Sequence, residues 1–184
     1  MRTFIGIDFN KELKNEIFNL QLNMKDFAAK GRWKYIDNFH LTLKFLGDIN
    51  QAQKNLIDEV LRSICANTAP FSLSIDDLGR FSGKANIRVL WLGLNGDLKQ
   101  LSQLHQSIDN SLEPLGFKKD TRAYSPHITI GQDIVLKCSF ADLKSRLNLK
   151  SYPFLVDRLF LFKSDQIDYK RVYTKISEYK FTVT

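Results

Sequence analysis

His40-Leu41-Thr42-Leu43 and His127-Ile128-Thr129-Ile130 spell one pattern twice: histidine, aliphatic, threonine, aliphatic. The copies begin 87 residues apart in a chain of 184 residues that has only three histidines. On an extended strand alternate side chains face the same way, so each copy sets its His and Thr on one face and its aliphatics on the other. Two such strands brought together give one cleft two imidazoles and two hydroxyls. That set suits proton transfer around a phosphate, with one histidine taking a proton while the other gives one.

Working outward, the same local order surrounds both motifs. Residues 2–9 alternate as an opening strand, and Asn10 caps a helix striped by Leu13, Ile17, Leu20, Met24 and Phe27, with Gly31 as its expected end. Trp33 to Ile36 is short and β-prone, and the first motif strand runs from Phe39 to Leu46. A second helix is predicted over 51–66 with Leu56, Val60 and Ile64 inward, then strands at 71–75 and 87–94. A third helix, marked by Leu98, Leu101, His105, Ile108, Leu112 and Leu115, closes at Gly116 and precedes the second motif strand, 126–131. A short helix near 139–147 and two strands, 153–163 and 171–182, end the chain. A strand, a long helix and a motif strand thus occur twice. The fold class is α+β: one domain over 1–184 made of two similar lobes, antiparallel sheets facing across a central groove, helices outside.

Composition narrows the function. Hydrophobic residues make up 43% of the chain, and no apolar run is long enough to span a bilayer. Asp8 comes too early for a secretory signal, and Cys65 and Cys138 lack C-x-x-C spacing, so a reduced, cytoplasmic protein is expected. The net charge of +7 favours polyanionic partners such as RNA, though many basic proteins bind no nucleic acid.

Rival chemistries fit less well. No H-x-x-x-H or H-x-H sets two histidines on one face for zinc, and threonine is a poor metal ligand but a good phosphate donor. No G-x-S-x-G elbow supports a serine hydrolase. The glycines of Gly79-Arg80-Phe81-Ser82-Gly83-Lys84 read as a hairpin, with Arg80 the exception worth following. His105 sits on a helix stripe without a motif and is assigned to structure.

With these residues in place, the chain resembles the two-histidine phosphoesterase superfamily, and within it the bacterial and archaeal RNA 2′,3′-cyclic phosphodiesterases, long called 2′-5′ RNA ligases. The likeness rests on residues 2–8, on Trp33 through Gly47, on Leu78-Gly79-Arg80-Phe81 with Val89-Leu90-Trp91, on Pro126 through Ile130, and on Val172-Tyr173. It implies His40 as proton donor, His127 as proton acceptor, and Thr42 and Thr129 as holders of the phosphoryl oxygens, with no metal and no cofactor. The implied substrate is RNA ending in a 2′,3′-cyclic phosphate, tRNA fragments or small cyclic nucleotides included, opened to a 2′-phosphate by a monomer. Relatives often carry arginine five residues after the second histidine, where this chain has Gln132. A neutral amide brings no charge, so Arg80, Arg122 and Lys44 become candidates for phosphate neutralisation. Phe45, Phe81 and Tyr124 are candidates for stacking on the terminal base. Strand alternation turns Phe45 away from His40 and favours Tyr124. A ligase running the same site in reverse, or a non-catalytic RNA- or nucleotide-binding module, are the alternatives.

Overall fold

A computed structural model describes residues 1–147 and 149–183. Their order is β1 (Arg2–Asp8), α1 (Lys11–Lys25), β2 (Ala28–Trp33), β3 (His40–Asp48), α2 (Gln51–Ala66), β4 (Phe71–Ser82), β5 (Ile87–Gly96), α3 (Leu98–Leu112), β6 (Ile128–Leu136), α4 (Phe140–Leu147), β7 (Tyr152–Val156), β8 (Arg158–Ile167) and β9 (Lys170–Lys180). A single 3-10 turn, Ile36–Asn38, leads into β3. The strands form two antiparallel sheets, β3-β1-β8-β9 and β2-β6-β5-β4-β7. In each sheet a motif strand pairs with the strand before its long helix: β3 with β1, and β6 with β5. The two α+β lobes and their antiparallel sheets are those expected from the repeated motif.

The chain does not keep the lobes apart. β2 leaves the first unit to pair with β6, and β8 and β9 return to complete the first sheet beside β1. The stretch expected as one strand over 153–163 is two strands split at Asp157, β7 in one sheet and β8 in the other. Two adjacent charges, Asp157 and Arg158, paired with each other at 2.8 Å, interrupt the apolar run at the split and are the one mark of the sheet change in the sequence. One core of buried residues runs through both sheets, from Ile5, Leu41 and Leu161 to Leu90, Ile128 and Ile134.

The first two helices differ from expectation in instructive ways. Asn10 does cap α1, its side chain accepting from the Leu13 amide at 2.8 Å, but α1 stops at Lys25. Gly31 ends no helix. It lies inside β2, where an added Cβ would run into Ile134 of the neighbouring strand. α2 has the expected span, held by a capping box between Asn50 and Gln53, yet its inward face is Ile57, Leu61 and Cys65 rather than Leu56. Leu56, Val60 and Ile64 make an equally good stripe one residue back. The choice falls to Asp58, which is buried and takes hydrogen bonds from Lys54, Ser177 and Tyr179, tying α2 to β9.

The choice of face has a measurable signature. Ile57 is fully buried, so Ile57→Ala should cost about 2–5 kcal/mol in urea unfolding. Leu56, 45% exposed, should change stability by less than about 0.5 kcal/mol when cut to alanine.

Candidate active site

Both motif histidines are oriented by the same device. His40 Nδ1 lies 2.7 Å from the carbonyl of Asn38, and His127 Nδ1 lies 2.7 Å from the carbonyl of Ser125. A carbonyl only accepts, so each Nδ1 carries a proton and donates it. In the neutral ring this leaves Nε2 as the free base. At His40 that atom is 2.9 Å from Thr42 Oγ1, whose hydroxyl donates to it.

The two rings differ in their surroundings. His40 rests on an aromatic floor: Phe4 at 4.7 Å between ring centroids, Tyr173 edge-on at 5.1 Å and Phe162 at 5.9 Å. Burial there pulls its pKa well below the ordinary value, to about 4, against the opposing pull of the Asn38 carbonyl. Asp8 lies directly across β1–β3 from His40, and its carboxylate is ion-paired with Lys14 at 2.7 Å and Lys175 at 2.5 Å. His127 meets Phe81 edge-on at 5.1 Å and Trp91 at 6.0 Å. Trp91 in turn covers Gly79, where any Cβ would strike the indole, which explains a glycine in that strand.

A groove of about 590 Å³ takes Thr42 from the first motif and His127 from the second, with Phe45, Phe81, Arg88 and Tyr124 also in its lining, while His40 and Thr129 lie outside that lining. A second cavity, of about 600 Å³ beside Phe9 and Phe154, carries neither motif. Tyr124 binds the lobes across the groove, its hydroxyl donating to the Thr42 carbonyl at 3.0 Å.

One irregularity recurs after each motif. In β3 the register jumps from Gly6↔Thr42 to Ile5↔Lys44, and in β6 from Trp91↔Thr129 to Leu90↔Gly131. Each jump is a β-bulge, one extra residue that resets which face the following side chains take. Phe45 and Gln132, each five residues after a motif histidine, therefore return to the histidine's face. Phe45 is 74% exposed and touches Phe4, the residue beneath His40. Simple alternation, which turned Phe45 away, fails because of the extra residue. The second bulge is pinned by Gln21 of α1, whose Nε2 donates to the Ile130 carbonyl at 2.9 Å and to that of Lys34 at 2.8 Å.

Other expected residues lie elsewhere or are engaged. Arg80 is on the opposite face from Phe81, its guanidinium 4.7 Å over Phe140 of α4, so it does not reach the groove. Lys44 is buried against Asp109 and donates to the Lys118 carbonyl at 2.9 Å. Its charge is spent on holding α3 to β3. Arg122 lines the groove mouth but is paired with Asp120 at 3.2 Å. Tyr124 has one ring face covered by His105, stacked at 4.0 Å and 9°. His105 is thus more than a helix-stripe residue, since it lines the groove and backs Tyr124. Arg88, which no sequence motif marks, lines the same groove, and among the described residues no acid pairs with it. Alternation from Trp91 would turn Arg88 away with Leu90; the register shift between Phe81 and Ser82, which leaves Arg88 as the extra residue of β5, breaks that pattern. Among the described residues no group of three or more His, Cys, Asp and Glu side chains is arranged to hold a metal ion. No helix of the described residues is long and apolar enough to cross a membrane.

Comparison with known proteins agrees with this architecture. The family model of the 2′-5′ RNA ligase superfamily matches residues 35–168, a span that contains both motifs and the groove between them. The chain belongs to that superfamily. Proteins named RNA 2′,3′-cyclic phosphodiesterase are similar along nearly the whole chain. That of Methanocaldococcus jannaschii is 32% identical, covering 100% of this chain and 93% of its own. That of Thermotoga maritima is 30% identical, covering 98% and 96%. The crystal structure of E. coli LigT in apo form shares the fold at a TM-score of 0.78, with 23% identity over 99% of this chain and 98% of that one.

The burial of His40 can be read directly by NMR. Its ring should titrate near pH 4, and inorganic phosphate should raise that midpoint, because a nearby anion favours the imidazolium. A midpoint near the ordinary 6.5, unmoved by phosphate, would show a solvated ring remote from the anion site.

Proposed function

We propose that the protein is an RNA 2′,3′-cyclic phosphodiesterase that opens a terminal cyclic phosphate to a 2′-phosphate. The observation that carries this reading is the pair of histidines, each with Nδ1 tied to the carbonyl two residues back and Nε2 left for chemistry. Relatives that bear this activity in their names, similar over nearly the full chain, support it. A LigT structure complexed with 3′-AMP, of the same fold, supports a nucleotide in the groove.

In this reading His127 Nε2 takes a proton from water as the water oxygen bonds to phosphorus. The bond from phosphorus to the ribose 3′-oxygen breaks, and His40 Nε2 supplies that oxygen with a proton. His40 is neutral in the empty site, so the substrate's own negative charge must raise its pKa before it can act as an acid. Thr42 couples the two events. While His40 is neutral, the Thr42 hydroxyl donates to Nε2; once Nε2 is protonated, that hydroxyl hydrogen is released for a phosphoryl oxygen. Thr129, on the face of His127, holds another oxygen, and Arg88 supplies the positive charge that Gln132 lacks. Phe45 offers its open face to the terminal base, a part that Tyr124, stacked on His105, fills poorly. The ligase direction would use the same atoms, and no feature of the site favours it. The protein works as a monomer in the cytoplasm, and no step calls for a metal or cofactor.

Incubating the protein with RNA ending in a 2′,3′-cyclic phosphate, with EDTA present, should yield a 2′-phosphate end. His40→Ala and His127→Ala should each lower turnover on the order of 10²–10⁴-fold with the fold intact, as circular dichroism would verify. Either variant retaining most of its activity would remove that histidine from the mechanism. Since kcat reports the substrate complex, its alkaline limb should lie at higher pH than that of kcat/KM.

The second bulge sets up a sharper test. Gln132→Arg adds a guanidinium on the histidine's face and should tighten binding of the 2′-phosphate product more than it raises kcat, because an added charge stabilises ground and transition states alike. The gain should shrink as salt is added. Product affinity that stays unchanged would place residue 132 beyond reach of the phosphate.

A further inference from the structure

The turn between β8 and β9 consists of Asp168 and Tyr169, both at positive φ, 41° and 64°. A two-residue hairpin turn of this kind favours Asn-Gly, and a bulky side chain at positive φ is uncommon. Tyr169 nonetheless occupies it with a relative exposure of 103%, so its ring contributes nothing to the core. Beside it Lys170 holds its ammonium 5.2 Å over the ring of Tyr35, itself 50% exposed. The same strand then leads to the catalytic groove. The Arg171 carbonyl accepts from Asn38 Nδ2 at 2.7 Å, and Asn38 is the residue whose carbonyl orients His40. Tyr173 meets the His40 ring edge-on.

Charge follows the same line. Lys34, Lys170 and Arg171 make no ion pair among the described residues, whereas Arg32 is paired with Asp133 and Lys163 with Asp165. Burial lowers the pKa of Lys34, and like charge from Arg32 and Arg171 lowers it further. Exposed aromatic rings interleaved with cations that pair with no acid are the elements of a single-strand nucleic-acid track: the cations meet successive phosphates and the exposed ring faces stack on bases of any kind. We propose that this surface, from Tyr169 and Lys170 across Tyr35 to His40, binds the single-stranded RNA that precedes the cyclic phosphate. The inference rests on the phosphodiesterase reading for its direction, since the chain's 3′ end must lie at the histidines. It makes the protein an enzyme for the ends of RNA chains, with cyclic mononucleotides as substrates that forgo part of the binding surface.

The test compares a ten-nucleotide RNA with a terminal 2′-phosphate against a mononucleoside 2′-phosphate, by fluorescence anisotropy and competition, in wild type and in Tyr35→Ala/Tyr169→Ala. Both tyrosines are exposed, and a thermal melt would verify the fold. The double variant should bind the decamer roughly tenfold more weakly, with mononucleotide affinity unchanged. Lys170→Gln should reduce the salt dependence of decamer binding by about one phosphate contact. Unchanged decamer affinity overturns the proposal and leaves the patch to another partner, such as an acidic protein surface. Equal weakening of both ligands also overturns it, because the tyrosines would then act through the groove itself. Binding is read on unreactive ends, so a decamer effect without any hydrolysis of the cyclic-phosphate form would support the track while sinking the phosphodiesterase reading.

Discussion

A strand has two faces, and the groove of this protein depends on how each motif strand divides its side chains between them. Period-two alternation gives His and Thr one face and the aliphatics the core, which suffices for the motif itself. Continued unbroken, it would carry position +5 after each histidine into the core. The bulge after Thr42 and its counterpart after Thr129 insert one residue and return Phe45 and Gln132 to the histidine's face of the strand. The same shift lets Lys44 enter the interior, where it meets Asp109, and lets Gly131 pack against Ile134 and Trp33. Gln21 secures the second bulge by holding the carbonyl of Ile130. The same carbonyl also accepts from the Lys34 amide at 3.0 Å, so the bulge is held from α1 and from the end of β2 together.

The pseudo-symmetry built on these bulges is geometric and not chemical. Both histidines are tied through Nδ1 to a carbonyl, and both have an aromatic neighbour at right angles. One is buried on Phe4, Phe162 and Tyr173, while the other stands against Phe81 and Trp91 at the groove wall. In the proposed function these two like residues in unlike surroundings would take the two opposite roles, one giving a proton and one taking it.

The repeated tetrapeptide made the lobes, the strand–helix–strand units and the two histidines legible, because it is local and periodic. What was lost lay outside any period. The bulge at Leu43 and Lys44 carries no glycine or proline to announce it. The inward face of α2 was undecidable between two stripes until Asp58 met Tyr179 from a strand more than a hundred residues away. The sheet change at Asp157 is marked only by the adjacent charges Asp157 and Arg158 between two apolar runs, a signal too short to show that the strands on either side join different sheets. His105 read as an ordinary helix residue because stacking on Tyr124 is a tertiary contact. Arg80 looked exposed and basic, which it is, but on the face that Phe140 covers.

The strand exchange between lobes has a consequence for how the chain is made. β1 is sandwiched between β3 and β8, so one of its edges has no partner until residues 160–163 have been synthesised. Until then a nascent chain on the ribosome carries an apolar strand, Phe4 to Ile7, with a bare row of amides and carbonyls, an open template for pairing with another copy. The closure is also a contact of long sequence separation, which folds slowly. Loss of the last thirty or so residues would therefore do more than shorten the protein. It would leave that edge permanently uncovered, and such a fragment should appear as an aggregate rather than as a weakened enzyme.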